Sequence, residues 1–189
     1  LCYLHRCLRG LDQILAQSDV EHLPISAEVL ALFDQIDGLF ARYATVLRDD
    51  VCSDVRRYEV LEQLGRAGEA YRSHIYERGF SGQRETLAIS KVRELFADCL
   101  PVLERSIREN QREDGLFHAY NRVRIASGEA SLIRLDEMLE GQVAVLSAKV
   151  LSADESLQVL TALRQSALYT ARQNTYLLYP EKTLVRFAE

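Results

Sequence analysis

The sequence predicts an all-α fold, either an antiparallel helical bundle or a partial α/α-toroid, with about seven or eight helices. Apolar residues recur at three- and four-residue spacing through most of the chain, as on one face of a helix. Of the 189 residues 48% are hydrophobic, whereas only 9 are Gly and 3 are Pro. That balance favours helix over sheet.

The first two helices are predicted from leucine spacing and a serine cap. Residues 1–17 hold leucines three or four positions apart, which is typical of an amphipathic helix. Residues 18–25 form a predicted connector. Ser26 then caps a second helix of about twenty residues, which Asp49 and Asp50 end.

Two long helices are predicted next, separated by a serine-glycine turn. Ser53 or Asp54 starts the third helix, and Gly79 suits the position just past its end. The fourth helix carries Leu87 on its apolar face. Pro101 either kinks this helix or opens a new one, because proline interrupts the helical hydrogen bonds.

The second half of the chain begins with the polar loop at 112–121 and a short apolar segment. A turn at 127–128 precedes a predicted helix at about 130–148. Residues 152–155 (SADE) are a capping box that starts another helix. The tail at 174–180 is either extended or an irregular docking segment.

Composition excludes several classes of function. The net charge is −5 and the pI about 5.5, so a nucleic-acid or anionic-membrane binder is not expected. No run approaches the roughly 18 apolar residues that span a bilayer, and no secretory leader is visible. A cytoplasmic location follows as the expectation.

The chain is expected to be one domain, 1–189, cut from a longer protein, with helical hairpins at 1–100 and the motif-bearing part at 101–189. It begins at Leu1 inside an apolar pattern and ends at Glu189 within an apparent helix start. Four cysteines and four histidines show no metal-ligand spacing. Buried free thiols, and neither metal nor cofactor, are therefore predicted.

The residues 112–121 (REDGLFHAYN) concentrate acids, a glycine, a histidine, aromatics and an amide. Polar groups on a loop between helices are a common way to build a site. The candidates are Glu113 and Asp114 as catalytic carboxylates, and His118, Tyr120 and Asn121 as substrate-binding groups. Alternatively, Asp114 shapes the turn, His118 packs against a neighbour and Tyr120 plugs a core.

A second candidate is the polar interruption of an apolar helix at 140–142. Glu140 is a catalytic candidate and Gln142 a substrate-binding one. A carboxylate pair made by Glu140 with Glu113 or Asp114 would suit glycosidic-bond cleavage. A buried anchor or a solvated residue is the alternative for Glu140.

The third candidate is a cluster in the tail, with Arg172, Asn174 and Tyr176 as its substrate-binding residues and Gln173 and Tyr179 beside them. An arginine and amides beside tyrosines suit a sugar, since the polar groups bind hydroxyls and the rings stack on its apolar face. The same residues equally suit a segment that docks onto the helices, and docking is favoured.

Three stretches resemble, in order and spacing, the C-terminal part of large bacterial proteins described as cellobiose-phosphorylase-like. They are 112–121 (REDGLFHAYN), 138–147 (MLEGQVAVLS) and 173–180 (QNTYLLYP). The resemblance covers about residues 100–189. It implies a helical region of a carbohydrate-active protein, and it supplies no established catalytic residues.

The sequence therefore predicts a helical part of a glycoside phosphorylase- or hydrolase-like protein that contributes acidic and aromatic groups to a sugar site. Oligosaccharide, phosphate and other domains of the parent chain are the expected partners. A phosphorylase would use one carboxylic acid and phosphate, whereas a hydrolase needs a second carboxylate. The rival prediction is a non-catalytic helical scaffold or interaction domain.

Overall fold

A computed structural model of the chain describes residues 1–49 and 52–181. Within these ranges the fold is a mixture of six helices and three two-stranded sheets. The all-α prediction of seven or eight helices is therefore wrong. The helix end predicted at Asp50 and the helix start predicted before Glu189 lie outside the described residues.

The six helices occupy most of the described chain. Their bounds are α1 Cys2–Ala16, α2 Ala27–Asp49, α3 Asp54–Arg78, α4 Ile89–Arg108, α5 Leu139–Ala148 and α6 Ala153–Gln165. The strands form three antiparallel pairs. These are β1 His22–Ser26 with β2 Arg84–Ala88, β3 Asn121–Ala126 with β4 Glu129–Arg134, and β5 Tyr169–Thr170 with β6 Thr175–Tyr176.

The first sheet replaces a predicted connector. Strand β1 pairs with β2 in a register that places His22 opposite Ala88 and Ser26 opposite Arg84. Leu87, predicted on the fourth helix, lies in β2 and is buried. A five-residue strand is too short for a clear period-2 pattern, and its partner lies about sixty residues away, so local spacing did not reveal it.

The second sheet is a hairpin where a helix was predicted. Ser127 and Gly128 have φ of 53° and 78°, and positive φ at both central residues is the signature of a type I′ hairpin turn. The predicted helix at 130–148 is therefore wrong before Leu139, since its first residues form β4 and α5 begins only at Leu139. Leucines in this part had suggested a helical period, but the turn directs the chain back along β3.

Several predicted helix ends are confirmed by their hydrogen bonds. The Ser26 hydroxyl accepts from the Val29 N–H at 3.3 Å, and the Ser53 hydroxyl from the Arg56 N–H at 3.2 Å. Gly79 ends α3 with φ of 71° and donates its N–H to Ile75. Helix α4 continues through Pro101, so no new helix begins there.

The chain divides into two compact units, each assembled from separate segments. Unit 1 consists of Leu1–Arg6, Ser106–Arg122 and the chain from Ile133 onward. Unit 2 consists of Cys7–Arg105 and Val123–Leu132. The single domain expected from the sequence stays a prediction.

No helix among the described residues is both long and apolar enough to cross a membrane.

Unit 2 is built largely on α2 and α3, which pack against each other.

Burial raises the pKa of the Cys99 thiol to about 12, assisted by the nearby charges of Asp98 and Asp37. All four cysteines are free thiols, but Cys7 is exposed. Cys2 and Cys52 are only partly buried, so the prediction of buried thiols is confirmed for Cys99 alone and is wrong for Cys7.

Two apolar clusters form the core of unit 1. The first contains Ile107, Phe117, Val145 and Val159, and the second contains Leu116, Leu163 and Leu168. The neighbours Leu116 and Phe117 thus enter different clusters, and they are only 0% and 2% exposed. The centre of the predicted polar loop is consequently also the centre of the core.

The predicted capping box at the start of α6 is confirmed. The Ser152 hydroxyl accepts from the Glu155 N–H at 3.2 Å, and Glu155 accepts from the Ser152 N–H at 2.7 Å. Glu155 also accepts from Arg108 at 2.7 Å. The Arg108 guanidinium, followed by the Ser152 N–H, lowers the pKa of Glu155 from 4.5 to about 2.

Substitution Glu155→Gln should make stability less dependent on acid pH. Because the folded pKa is depressed, Glu155 stabilises the fold above pH 4.5, and this contribution disappears as pH falls toward 2. Glutamine preserves the capping box but has no charge to pair with Arg108. The urea midpoint of the variant should therefore lie below that of wild type at pH 7 and converge with it near pH 2. In an Arg108→Gln background most of the difference at pH 7 should vanish; its full persistence would contradict this account.

Candidate ligand-binding site

The polar loop at 112–121 begins with a tight turn that Asp114 stabilises. The Asp114 carboxylate accepts from the Leu116 N–H at 3.1 Å, and Gly115 has φ of 82°. The Arg112 N–H donates to the Leu116 carbonyl at 2.8 Å, which closes the turn. Glycine is suited to this position because side chains disfavour positive φ. The turn-forming alternative for Asp114 is therefore confirmed.

Arg112 fastens this turn to the segment that precedes α5. Its guanidinium donates to Asp114 at 2.8 Å and to Glu137 at 2.9 Å. The Arg112 hydrogen bond holds the pKa of Asp114 below its ordinary value and raises the pKa of Arg112. An ionised, paired carboxylate is poorly suited to donate a proton as a general acid.

The Gln142 side chain joins α5 to the loop. Its Oε1 accepts from the Phe117 N–H at 2.9 Å, and its Nε2 donates to the Phe117 carbonyl at 2.8 Å. Nε2 also donates to the Met138 carbonyl at 3.0 Å. The residue is fully buried. The structure therefore employs Gln142, a predicted substrate-binding residue, to satisfy buried backbone groups.

Gly141 allows α5 to approach the loop this closely. A Cβ at position 141 would lie 2.8 Å from the Phe117 carbonyl oxygen and 3.1 Å from the Ala119 nitrogen. Both distances are shorter than ordinary contacts. The sequence Gly141-Gln142 thus forms a clamp in which glycine provides the space and glutamine the hydrogen bonds.

Beside this clamp lies a cavity of about 360 Å³, named here the Glu140 cavity. Its polar lining combines four predicted site residues with one that was not predicted. They are His118, Tyr120, Asn121, Glu140 and Asn110. Apolar lining comes from Leu1, Cys2, Ile107, Phe117, Ala144 and Val145, among others. The structure therefore brings His118, Tyr120, Asn121 and Glu140 together.

An amide network orients Asn121 within the lining. Asn110 donates its Nδ2 to the Ser106 carbonyl at 2.8 Å, which leaves its Oδ1 to accept from Asn121 Nδ2 at 2.7 Å. Asn121 Oδ1 then accepts no hydrogen bond, although it is shielded from solvent, and the same is true of Glu140 Oε2. Two acceptor oxygens of the described lining residues thus lack donors, and such atoms are costly in a folded protein.

His118 is held by the segment between β4 and α5. Its Nδ1 lies 3.0 Å from the Leu135 carbonyl oxygen, so this nitrogen carries a proton and donates it. Burial lowers the pKa of His118, although the Leu135 carbonyl acts in the opposite direction. Near neutral pH the neutral form is favoured, which leaves Nε2 as an acceptor.

The remaining predicted carboxylates lie at a different surface recess. Glu113 and Asp114 line it together with Arg112, Arg134 and His118, whereas Glu140 does not. Of the described residues, only His118 is shared by the linings of the recess and the Glu140 cavity. The geometry therefore does not support a pair of catalytic carboxylates in the cavity.

The tail residues also lie outside the cavity lining. Asn174 accepts from the Tyr169 hydroxyl at 3.0 Å, and Tyr176 contacts the Tyr169 ring with centroids 5.4 Å apart. Arg172 is exposed. The Leu178 carbonyl accepts from the Leu139 N–H at 3.0 Å, at the start of α5. These contacts agree with the docking alternative for the tail.

The sequence did not predict Asn110 as a site residue, nor the close-approach role of Gly141 within the 140–142 candidate. Gly141 had a signal, because a glycine inside an apolar helical pattern often marks close backbone approach. Asn110 had none, since an asparagine after a helix usually indicates only its end. Among residues 1–49 and 52–181, no three His, Cys, Asp or Glu side chains are grouped to hold a metal ion.

Comparison with protein families returns no matching family model. A search of curated proteins likewise finds no significant match.

Proposed function

We propose that unit 1 binds a carbohydrate in the Glu140 cavity, as part of a carbohydrate-active protein. The observation that carries this proposal is the shared cavity of Glu140, His118, Tyr120 and Asn121. Its volume of about 360 Å³ lies within the range of small-molecule sites.

The chemistry of the lining favours a ligand rich in hydroxyl groups. Glu140 Oε2 and Asn121 Oδ1 are acceptors without donors, and each could accept a hydrogen bond from a sugar hydroxyl after a small side-chain movement. Neutral His118 adds an acceptor nitrogen. Tyr120 is 57% exposed, so its ring is available to stack on the apolar face of a sugar.

The proposal includes a catalytic role for Glu140, limited to that of a single carboxylic acid. Among the described residues lining the cavity, Glu140 is the one carboxylate. That arrangement agrees better with an acid acting beside phosphate than with hydrolysis, which requires a second carboxylate. The same described lining contains no Lys or Arg, so phosphate would have to be bound by other domains of a cytoplasmic, bacterial parent protein.

Calorimetric titration of the chain with cellobiose, maltose and glucose tests the proposal. We expect at least one sugar to bind, and Glu140→Gln to weaken it about 10- to 100-fold, because hydrogen bonds to charged groups contribute about 1.5–3 kcal/mol. The matched control is Glu113→Gln, an exposed carboxylate outside the cavity lining, which should bind as wild type does. Absence of binding at millimolar sugar, or equal weakening by both substitutions, would overturn the proposal.

The exposed face of α6 supports a second proposal, a scaffold that packs on other domains of the parent chain. Leu157 and Leu160 are 63% and 48% exposed and lie three residues apart on one helix face. Apolar side chains adjoining in this way are typical of contact surfaces. Substituting both with Gln should leave sugar binding intact, and it should abolish association with an adjoining domain if the scaffold role is correct.

A further inference from the structure

Unit 2 contains a cavity of its own, named here the Glu28 cavity, with a volume of about 370 Å³. It is lined by residues of α2, of α3 and of the loop before β2. They are Ala27, Glu28, Ala31, Leu32, Gln35, Ala70, Tyr71, His74, Ser81 and Gln83. Every one of these residues belongs to unit 2, so this cavity is separate from the Glu140 cavity.

Glu28 is the one carboxylate among the described residues of this lining, and most of its surface is covered. Only 9% of its surface is exposed. Its Oε1 accepts from the Ser81 N–H at 2.7 Å, whereas Oε2 is shielded from solvent and accepts no hydrogen bond. An unsatisfied oxygen on a buried carboxylate is costly and requires an explanation.

The carboxylate is ionised and has no Lys or Arg partner among the described residues of the lining. Hydrogen bonds from Ser81 lower the pKa of Glu28 to about 2, with smaller contributions from its own N–H and from Ser26. None of these groups carries a positive charge. The N-terminus of α2 offsets the charge only in part, since a helix end carries roughly half a unit charge.

The rest of the lining is mostly apolar, and its polar members are Gln35, His74, Ser81 and Gln83. Ala31, Leu32 and Ala70 provide aliphatic surface, and Tyr71 provides an aromatic ring. Aliphatic walls accommodate an apolar chain or ring, and a tyrosine face attracts cations. A hydrogen-bond donor is required in addition, because Oε2 accepts no hydrogen bond.

We propose that the Glu28 cavity binds a protonated primary amine with an apolar body, whose ammonium group donates to Glu28 Oε2 after a small rotation of the carboxylate turns this oxygen toward the cavity. The ammonium supplies both the positive charge and the donor. A neutral alcohol supplies only the donor, and a quaternary ammonium only the charge. This site is independent of the carbohydrate proposal, since it lies in the other unit.

Titration with three probes of the same body tests the proposal directly. They are 2-phenylethylamine, 2-phenylethanol and the trimethylated quaternary analogue of the amine, measured at pH 7 by calorimetry. We expect the primary amine to bind at least tenfold more tightly than either of the others. Equal binding of the alcohol would overturn the charge requirement, and equal binding of the quaternary analogue would overturn the hydrogen bond.

Two matched variants assign the effect to Glu28. Glu28→Gln keeps an oxygen that can accept from Ser81 but removes the charge, so it should weaken amine binding at least tenfold. Glu85→Gln, at an exposed position of strand β2 in the same unit, should bind as wild type does. Circular dichroism establishes that both are folded; should Glu28→Gln fail to fold, the probe series on wild type decides. No binding of the amine at millimolar concentration would refute the site.

Discussion

Gly141→Ala should destabilise the chain by about 1–3 kcal/mol, the range of overpacking substitutions in well-packed interiors. The added methyl group would lie 2.8 Å from the Phe117 carbonyl oxygen, and this obstacle is backbone rather than a flexible side chain. Either α5 or the loop must therefore shift, which also lengthens the Gln142 hydrogen bonds. A lower urea midpoint and faster hydrogen exchange of the Phe117 amide are the expected observations.

The control for this prediction is another helical glycine. A Cβ added at Gly65 in α3 would meet nothing within 4 Å, so Gly65→Ala should be neutral or stabilise by about 0.5–1 kcal/mol through helix propensity. Opposite signs of the stability changes caused by Gly141→Ala and Gly65→Ala would separate the effect of close approach between α5 and the loop from the effect of helix propensity. Gly141→Ala as stable as wild type would show that α5 does not approach the loop as described.

Gln142→Leu should cost about 2–5 kcal/mol, because it leaves the Phe117 N–H and carbonyl buried without partners, at about 1–3 kcal/mol for each group. Gln142 is fully buried, so water cannot replace the lost hydrogen bonds without opening the core. The side chains have similar volumes, which limits any contribution from a cavity. Urea denaturation followed by circular dichroism measures the effect.

Two further variants test whether the lost hydrogen bonds cause the destabilisation by Gln142→Leu. Gln165→Leu, at the exposed end of α6, should change stability by less than about 0.5 kcal/mol, as surface substitutions usually do. Gln142→Glu retains an acceptor for the Phe117 N–H but places a second oxygen against the Phe117 carbonyl, so it should also destabilise. If Gln142→Glu matched wild type, the donation from Nε2 would be unimportant and the clamp would be refuted.

Together these substitutions separate structural from ligand-binding roles in the motif. Asp114, Leu116, Phe117, Gly141 and Gln142 act within the fold through contacts on the chain itself. Phe117 and Gly141 also border the Glu140 cavity, but the side chains that offer it polar groups are Glu140, His118, Tyr120 and Asn121. The sequence brought attention to both groups, because both carry polar or special residue types. The sequence could not distinguish structural residues from ligand-binding ones, because that distinction depends on which atoms are already hydrogen-bonded.

The strands show the same division between local and distant information. The sequence predicts the turn at Ser127-Gly128 but not the hairpin it creates, because Leu132 in β4 and Leu135 just after it match a helical spacing. It predicts a connector at β1, since the main indication of this strand is its pairing with β2 across the whole of α2 and α3. Propensity and spacing cannot detect such a partner.

Residue types and spacings are sufficient for the features that depend on residues within about four positions of each other. These are the helix caps at Ser26, Ser53 and Ser152, the end of α3 at Gly79 and the turn at Asp114-Gly115, and each forms through local hydrogen bonds. Long-range packing, in contrast, makes Gln142 satisfy Phe117, places Glu140 in one cavity with Asn121, and leaves the buried Oε2 of Glu28 without a hydrogen bond. Those outcomes join residues many positions apart, and the cost of an unpaired buried group becomes visible only when its surroundings are known.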